Sequence, residues 1–425
     1  MTSDARTLPA GFGRLWTAQT VSSLGDGVLV AALPLLALTL TRDPLVLAVV
    51  TAAGTLPWLL FGVLGGALVD RWDRRRTMWV ADAARALLLA IPAAAAALHV
   101  LSIPLLAVVA FLLGVGGLFF DTAAAAYLPD LLGREPARLE RANSRLRGAQ
   151  TVMAGFAGPP AGSALLALGR AVPLLADAVS FAVSALLVRS LPAMARPAPE
   201  ARESLLRQAR AGASYVFRDR LLLGLALRPA VGNVAFLAVE TVLALFAHDR
   251  LGVGTAGFGL LLTAEATGGL IGTGIASLLG RALGTGTALT CTAAIEGLAI
   301  AGLAAAPNPY LAGLALAVCG AGMGATMVLS PSLRQAIVPA GLIGRVTSTS
   351  RMLAMCAAPF GAFLGGWLAS AFDVRTPLYA AAGLLLTMTA VTATMTSNRR
   401  IEAALRGADP ARPESAVPVR ESVPG

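Results

Sequence analysis

Long apolar stretches of the sequence contain acidic residues, of which five are candidates for proton or ligand chemistry: Asp26, Asp177, Glu240, Glu265 and Glu296. A charged side chain in such a place costs about 2.5–3.5 kcal/mol on membrane-insertion scales, so it needs a partner or a water-filled cavity. A carboxylate there can bind and release a proton as its surroundings change, or it can hold a polar group of a small molecule. The alternative for each residue is a static ion pair or a helix cap.

Asp26 is the strongest candidate for proton or ligand chemistry, because Gly residues on both sides of it let another segment approach. At a rise of about 1.5 Å per residue, Asp26, Glu265 and Glu296 fall near the middle of their apolar stretches. Asp177 and Glu240 fall nearer to one end. The remaining question is which elements bring these side chains together.

Asp82 and Arg85 are three positions apart, which places them on one face of a helix and predicts a structural ion pair. We expect this pair to be linked to the turn that contains Asp70. Further candidates for the lining of a cavity are one aromatic, one basic and one amide side chain: Phe61, Arg228 and Asn233.

The composition identifies the class of protein. Of 425 residues, 56% are apolar and 13% are charged, whereas about 25% are charged in a typical soluble domain. We therefore expect an all-α polytopic membrane protein. The net charge of +10 would suit nucleic acid, but in a membrane protein the position of basic residues matters more than their sum. We expect the lipid bilayer, and no nucleic acid, as a partner.

The cysteine and histidine residues give no sign of a metal or cofactor site. Cys291, Cys319 and Cys356 all fall in apolar stretches, where single cysteines behave as small apolar side chains. The two histidines, His99 and His248, fall near predicted loops. We expect no cofactor and no metal.

Twelve apolar stretches are long enough to cross a bilayer as helices. We number them helices 1–12, at about 14–40, 46–68, 77–100, 103–128, 145–168, 171–191, 221–246, 254–280, 285–306, 309–333, 346–370 and 377–397. The predicted organisation is an N-terminal segment 1–13, a six-helix half 14–191, a linker 192–220, a second six-helix half 221–397 and a disordered tail 398–425. In the linker, apolar residues recur at helical spacing from Leu205 to Phe217, which predicts an amphipathic helix on the membrane surface.

The distribution of arginine predicts the orientation. All 33 basic residues are Arg, and 26 of them fall in segments that lie on one face if the helices alternate in direction. Only Arg42, Arg170, Arg250 and Arg375 fall in loops of the other face. Because basic loops stay in the cytoplasm, we expect both termini to be cytoplasmic.

The turn between helices 2 and 3 has the pattern Gly-x-x-x-Asp-Arg-x-x-Arg-Arg, formed by Gly66, Asp70, Arg71, Arg74 and Arg75. It resembles the loop between helices 2 and 3 of the major facilitator superfamily (MFS) of transporters. The resemblance implies the MFS fold, with twelve transmembrane helices in two six-helix halves.

The resemblance also implies a gate. In the MFS, the Asp of this loop pairs across the cytoplasmic face and helps to hold the outward-open state. Here Asp70 would meet the start of helix 11, where Arg345 and Arg351 lie.

Helix 5 matches a second MFS pattern. Gly158, Pro159 and Gly162 match the Gly-Pro-x-x-Gly core found in helix 5 of MFS antiporters, although a structural kink would also explain them. Further segments add to the resemblance: Leu24-Gly25-Asp26 in helix 1, Asp177-Ala178-Val179-Ser180-Phe181 in helix 6, Arg202-Glu203-Ser204-Leu205 in the linker and Gly344-Arg345-Val346 before helix 11. Together these segments resemble the drug-efflux branch that contains macrolide and siderophore exporters. It departs from that pattern where Asp73 replaces a loop Gly and where helix 4 lacks the Arg of many proton antiporters.

The function that this resemblance implies is secondary active transport. We expect proton-coupled export of small amphipathic or hydrophobic molecules by alternating access, in the plasma membrane, by a monomer. The first alternative is an importer or facilitator of a polar nutrient, although the spans contain few Asn, Gln, His or Tyr. The second is a membrane-embedded enzyme, for which the sequence has no clustered His and Asp and no phosphate-binding loop.

Overall fold

A computed structural model describes residues 9–69, 72–133, 135–194, 213–339 and 342–407. In this part of the chain, twelve helices are long and apolar enough to cross a membrane. Eleven of them are α1 Ala10–Leu38, α2 Pro44–Val69, α3 Arg74–Ala97, α4 Ile103–Leu132, α6 Val172–Arg189, α7 Arg220–Leu251, α8 Thr255–Leu283, α9 Thr285–Ala305, α10 Pro309–Ile337, α11 Ile343–Ala371 and α12 Thr376–Met395. The prediction of twelve spans is confirmed.

The remaining span, α5, consists of three consecutive stretches: Pro136–Gln150, Thr151–Ala157 and Gly158–Leu168. The middle stretch is a π-helix, which sequence periodicity did not predict. π-helical turns inside α-helices occur frequently at functional sites. The span also begins nine residues before the predicted start at 145, because Pro136 occupies its first turn, where a missing N–H costs nothing.

Polar residues just outside the spans determine where several helices begin. Asp73 accepts a hydrogen bond from the Arg76 amide at 2.7 Å and so caps α3. Asp219 caps α7 in the same way through the amide of Leu221, at 2.7 Å. Such caps satisfy amide groups that have no partner within the helix. The departure from the MFS pattern at Asp73 is therefore a helix cap.

A short helix, α13, covers Asn398–Gly407, where the sequence predicted a disordered tail. The side chain of Asn398 accepts hydrogen bonds from the amides of Gly286 (2.8 Å) and Thr287 (3.2 Å). It also donates to the carbonyl of Leu283 at 3.0 Å. Asn398 thus caps the start of α9, while Ile401 is buried. The rest of the predicted tail, from 408, lies outside the described residues. Most of the predicted linker helix also lies outside them; its last part is described, and residues 213–218 are helical.

Helices α1–α6 and α7–α12 form two halves, which contact each other mainly through α2 with α11 and α5 with α8. We call the face where α1 begins the Arg-rich face, because the short loops after α2 and α4 lie there. Near the opposite face α2 and α11 are closely packed: a Cβ added at Gly366 would lie 2.3 Å from the Cβ of Ala48.

The apolar cores differ between the two faces. Near the opposite face, a single core contains residues of both halves, including Leu47 and Leu106 of the first and Phe246 and Leu378 of the second. Near the Arg-rich face, each half has a core of its own. The space between the halves is therefore closed at the opposite face and opens toward the Arg-rich face.

Ion pairs accompany the apolar closure of the opposite face. Arg42 of the first half lies 3.5 Å from Asp249 of the second, and Asp249 also contacts the Nδ1 of His248 at 2.7 Å. Arg250 donates to Asp373 at 2.5 Å. This hydrogen bond holds the pKa of the Asp373 carboxyl below its ordinary value.

Candidate functional site

Asp26 is held by Arg85 in the first half. The Arg85 Nη2 atom donates to Asp26 Oδ1 at 2.9 Å, and Nη1 donates to Asp82 Oδ1 at 3.4 Å. The Asp82 carboxylate also accepts from Ser184 Oγ at 2.5 Å. The Arg85 guanidinium lies over the Phe181 ring, 3.7 Å from its centroid. The predicted Asp82–Arg85 pair is therefore present, and it is linked to Asp26; Asp70 lies outside the described residues.

Glycines on both sides of Asp26 allow this arrangement. A Cβ added at Gly25 would lie 2.0 Å from Asp177 Oδ1, so α6 packs directly against α1 there. A Cβ added at Gly27 would lie 2.6 Å from the Ala154 carbonyl oxygen in the π-helical stretch. Both contacts exclude a side chain, and the Asp26 carboxylate between them retains 43% of its exposure although it is near the middle of α1.

Asp177 lies beside this network and is completely buried. Its Oδ1 atom accepts from Ser180 Oγ at 2.9 Å. Its Oδ2 atom has no hydrogen-bond partner among the described residues. The first half thus brings three carboxyl groups around one guanidinium, so their charges cannot all be balanced by Arg85.

A second polar cluster lies in the other half and contains Glu296. This residue accepts from Thr326 Oγ1 at 3.1 Å, and Thr326 is 3.1 Å from Thr292. Arg228 donates to Thr292 at 3.3 Å. The cluster connects α7, α9 and α10 through hydroxyl groups, with one acid and one base at its ends.

Glu240 and Glu265 have a different environment. Both are half-buried, and neither makes a hydrogen bond or ion pair with the described part of the chain. Their charges interact with each other. They are therefore two acids of the second half whose charges are not balanced by a neighbouring cation among the described residues.

The other predicted cavity residues have separate positions. Asn233 donates to the Ala354 carbonyl at 2.9 Å and thereby joins α7 to α11. Phe61 is on α2, where 37% of it is exposed. Asn233 thus connects two helices, and Phe61 retains an accessible aromatic face.

The described part of the Arg-rich turn is bound within the first half. Gly66 lies in the last turn of α2, while Asp70 and Arg71 lie outside the described residues. Arg74 pairs with Asp130 at the end of α4, and Arg75 donates to the Leu191 carbonyl at 2.7 Å. These two arginines hold the start of α3 against α4 and against the residues that follow α6.

The predicted motif of helix 5 brings α5 and α1 together. A Cβ added at Gly158 would lie 2.5 Å from Gly27, and one at Gly162 would lie 2.2 Å from the Val28 carbonyl oxygen. Pro159, between them in sequence, is buried as well. Both glycines are required by this packing, and the contact is at the two residues that follow Asp26.

Sequence reasoning did not assign several residues that the structure places near these groups. Asp121 of α4 is exposed and interacts electrostatically with Arg351 and Asp26. The Trp58 ring of α2 lies under the Arg351 guanidinium, 5.0 Å away. An acid within an apolar stretch was the available signal for Asp121, and nothing in the local sequence indicates the contact at Trp58. Arg345 lies in the first turn of α11.

Comparisons with known proteins identify the family of this chain. The family described as Transmembrane secretion effector (MFS_3) matches residues 8–420. The multidrug efflux pump Tap of Mycolicibacterium fortuitum is 28% identical over 85% of this chain and 90% of its own. Macrolide efflux protein A of Streptococcus pyogenes is 23% identical over 86% of this chain and 90% of its own.

Solved structures of transporters share the fold. The nucleoside transporter NupG superposes with a TM-score of 0.72 at 14% identity, over 92% of this chain and 100% of that one. A bacterial homologue of the iron transporter ferroportin, in an inward-facing state, superposes with a TM-score of 0.71 at 18% identity, over 92% and 100%. At these identities the likeness concerns the fold alone. The expected MFS fold is confirmed, and the chain is a multi-pass membrane transporter that belongs to the transmembrane secretion effector family of the major facilitator superfamily.

Proposed function

We propose that this transporter exports small amphipathic or hydrophobic molecules in exchange for protons, and that it contributes to multidrug resistance. The observation that carries the proposal is Asp26: an accessible carboxylate near mid-membrane, between the halves, held by a single Arg85 contact. Tap and macrolide efflux protein A are efflux proteins, which supports the direction of transport.

Proton exchange rests on the charge balance of the first half. Asp26, Asp82 and Asp177 surround Arg85, and uncompensated charge within a bilayer is costly. A proton on one of these acids lowers the net charge, and Asp26 is the acid that water reaches. When a proton binds Asp26, its attraction to Arg85 weakens, which releases α1 from α3 for a change of state.

The Arg-rich face is assigned to the cytoplasm, because basic loops remain on that side of the membrane. The described conformation is then open to the cytoplasm, the side from which an exporter takes its substrate. The two halves would rock about the central site to expose it to the other side. We place the transporter in the plasma membrane as a monomer with both termini inside.

The cytoplasmic gate remains a proposal from the MFS resemblance. Asp70 would pair with Arg345 or Arg351 at the start of α11 when the inside is closed. Such terminal charge interactions contribute about 0.3–1 kcal/mol when exposed, up to ~2 when partly buried. Asp70→Asn should therefore reduce turnover more than substrate binding, and unchanged transport by this variant would remove the gate from the mechanism.

The test of the function uses everted membrane vesicles with an acidic interior and a hydrophobic fluorescent dye. Export in the cell corresponds to dye uptake into these vesicles, and collapse of the pH gradient should stop it. Asp26→Asn should abolish gradient-driven uptake, whereas Asp43→Asn, which changes an exposed carboxylate in the loop before α2, should retain it.

Three outcomes would contradict the proposal. Dye uptake that is indifferent to the pH gradient would exclude proton coupling. Dye movement out of acid-interior vesicles would indicate the importer alternative. Full coupled uptake by Asp26→Asn would remove Asp26 from the mechanism and leave the other acids as candidates.

A further inference from the structure

Arg351 makes a contact between the two halves in the conformation that is open toward the Arg-rich face. Its guanidinium, on α11, lies over the Trp58 ring of α2, 5.0 Å from the centroid. Within the described part of the chain, Arg351 has no carboxylate within 4.0 Å. A cation over the face of an indole is attracted by the negative charge of the ring face. The second half therefore places a cation on an aromatic surface of the first half.

Asp121 supplies a negative charge beside this contact. It is exposed on α4, the helix that packs against α2, and its charge interacts with that of Arg351. It makes no hydrogen bond or ion pair with the described residues. A carboxylate with these properties has room to pair with a positively charged group that enters from the Arg-rich face.

The position of the two groups suits a molecule that enters the cavity. Trp58 and Asp121 are each eleven residues from the end of their helix at the Arg-rich face, which is about 16 Å of helix. Phe61 is one turn from Trp58 on α2 and is 37% exposed. An aromatic surface and a carboxylate thus lie between the opening and Asp26.

We propose that Trp58 and Asp121 form a receptor for the positively charged group of a transported molecule, and that Arg351 occupies this receptor while no substrate is bound. The ligand class is an organic cation with an apolar body, because an indole face and a carboxylate attract positive charge while the rest of the cavity is largely apolar. Substrate displaces Arg351 from Trp58. The inference rests on the proposed function in one respect: it takes the space between the halves as the route of transport.

The opposite interpretation is that the Arg351–Trp58 contact only joins α11 to α2. The two interpretations predict different results when Arg351 is removed. If Arg351 competes with the substrate for Trp58 and Asp121, its removal leaves these two residues free, and cations should bind more tightly. A purely structural contact that is removed should loosen the site or leave cation binding unchanged.

The experiment measures equilibrium binding of radiolabelled tetraphenylphosphonium to the purified full-length protein in lipid nanodiscs. Triphenylphosphine oxide, which is uncharged and retains three of the four phenyl groups, serves as the neutral competitor. Arg351→Gln should lower the Kd for tetraphenylphosphonium. Trp58→Leu and Asp121→Asn should each raise it about tenfold, the factor that corresponds to a cation–π or charge contact of ordinary strength. The affinity for the neutral competitor should change less than about twofold.

Two controls keep the result interpretable. Trp79→Leu removes another Arg–Trp contact, with Arg189 at 5.5 Å within the first half, and should leave both affinities unchanged. Trp58→Phe retains an aromatic ring and should bind tetraphenylphosphonium with intermediate affinity, which excludes misfolding as the cause of a loss in Trp58→Leu.

The receptor is refuted if Arg351→Gln binds the cation no more tightly than the unchanged protein. It is also refuted if the Trp58 and Asp121 variants lose cationic and neutral ligands equally. Binding requires no proton gradient, so a protein that binds tetraphenylphosphonium as described but shows no gradient-driven export would contradict the proposed function and not the receptor.

Discussion

Arg85 joins Asp26 on α1 to Asp82 on its own helix, through its Nη2 and Nη1 atoms respectively. Of these two acids, Asp82 is completely buried, whereas Asp26 is accessible. The same guanidinium therefore has one structural partner and one partner that solvent can reach. We therefore expect the Arg85–Asp82 contact to contribute to stability and the Arg85–Asp26 contact to contribute to transport.

Removal of Arg85 should destabilise the protein strongly. In Arg85→Ala, Asp82 keeps its hydrogen bond from Ser184 but loses its counter-charge, and an unpaired buried charge costs about 3–5 kcal/mol. Asp82→Asn in the same chain should recover much of this loss, since the buried charge is then gone. Thermal unfolding in detergent measures both variants, and strictly additive effects of the two substitutions would contradict the coupling.

The contact between α1 and α5 should not tolerate a side chain at Gly162. A Cβ there would lie 2.2 Å from the Val28 carbonyl oxygen, so Gly162→Ala should cost about 1–3 kcal/mol through overpacking. Gly148, earlier in α5, has nothing within 4 Å of an added Cβ. Gly148→Ala should stabilise the helix by up to about 1 kcal/mol. Unfolding temperatures of the two variants that shift in the same direction would contradict the packing argument.

The Arg42–Asp249 pair should favour closure of the opposite face, but only modestly. Exposed ion pairs contribute about 0.2–1 kcal/mol, so Arg42→Glu should raise the open fraction by up to about fivefold. The measurement is maleimide labelling of Leu47→Cys, a buried position of the shared core, with the three natural cysteines replaced by Ser.

The double charge reversal, Arg42→Glu with Asp249→Arg, is the matched control for this labelling. It restores an attractive pair and should return the labelling rate toward that of the Leu47→Cys parent. The single-variant effect should also diminish at high salt, because exposed charges are screened. A rate that stays high in the double reversal would show that the charge pair is not what favours closure.

Asn398 should stabilise the start of α9. Asn398→Ala removes the acceptor for the Gly286 and Thr287 amides, and the loss of such a cap costs about 1 kcal/mol. Hydrogen exchange at these two amides should become faster. As a control, Asn143→Ala removes only an exposed hydrogen bond to Leu139 within one helix. It should leave hydrogen exchange at the Gly286 and Thr287 amides unchanged. Unaltered protection of Gly286 in Asn398→Ala would contradict the capping role.

The sequence was sufficient to predict the spans, because length and apolarity are local properties of each stretch. It was also sufficient for the Asp82–Arg85 contact, which follows from helical spacing within α3. The Asp26–Arg85 contact joins residues 59 positions apart, and it depends on how α1 packs against α3. No local pattern contains that information, and the same is true of Trp58 and Arg351.

Two local features were missed for a different reason. The π-helical stretch Thr151–Ala157 is followed directly by Gly158, Pro159 and Pro160. Proline has no N–H to donate to the carbonyl four residues earlier, so this motif predicts a disturbed helix but not which form the disturbance takes. Asn398 follows the last span in a polar segment that resembles a mobile tail, and its capping role depends on α9, which begins 113 positions earlier at Thr285.

The shared core at the opposite face implies that the transport cycle has a characteristic temperature dependence. To open that face, the protein must expose to water apolar side chains that both halves now bury. Exposure of apolar surface increases the heat capacity, and the hydrophobic contribution to closure weakens on cooling. The balance between the two states should therefore be set by temperature more than by ionic strength, with a curved van't Hoff plot for opening.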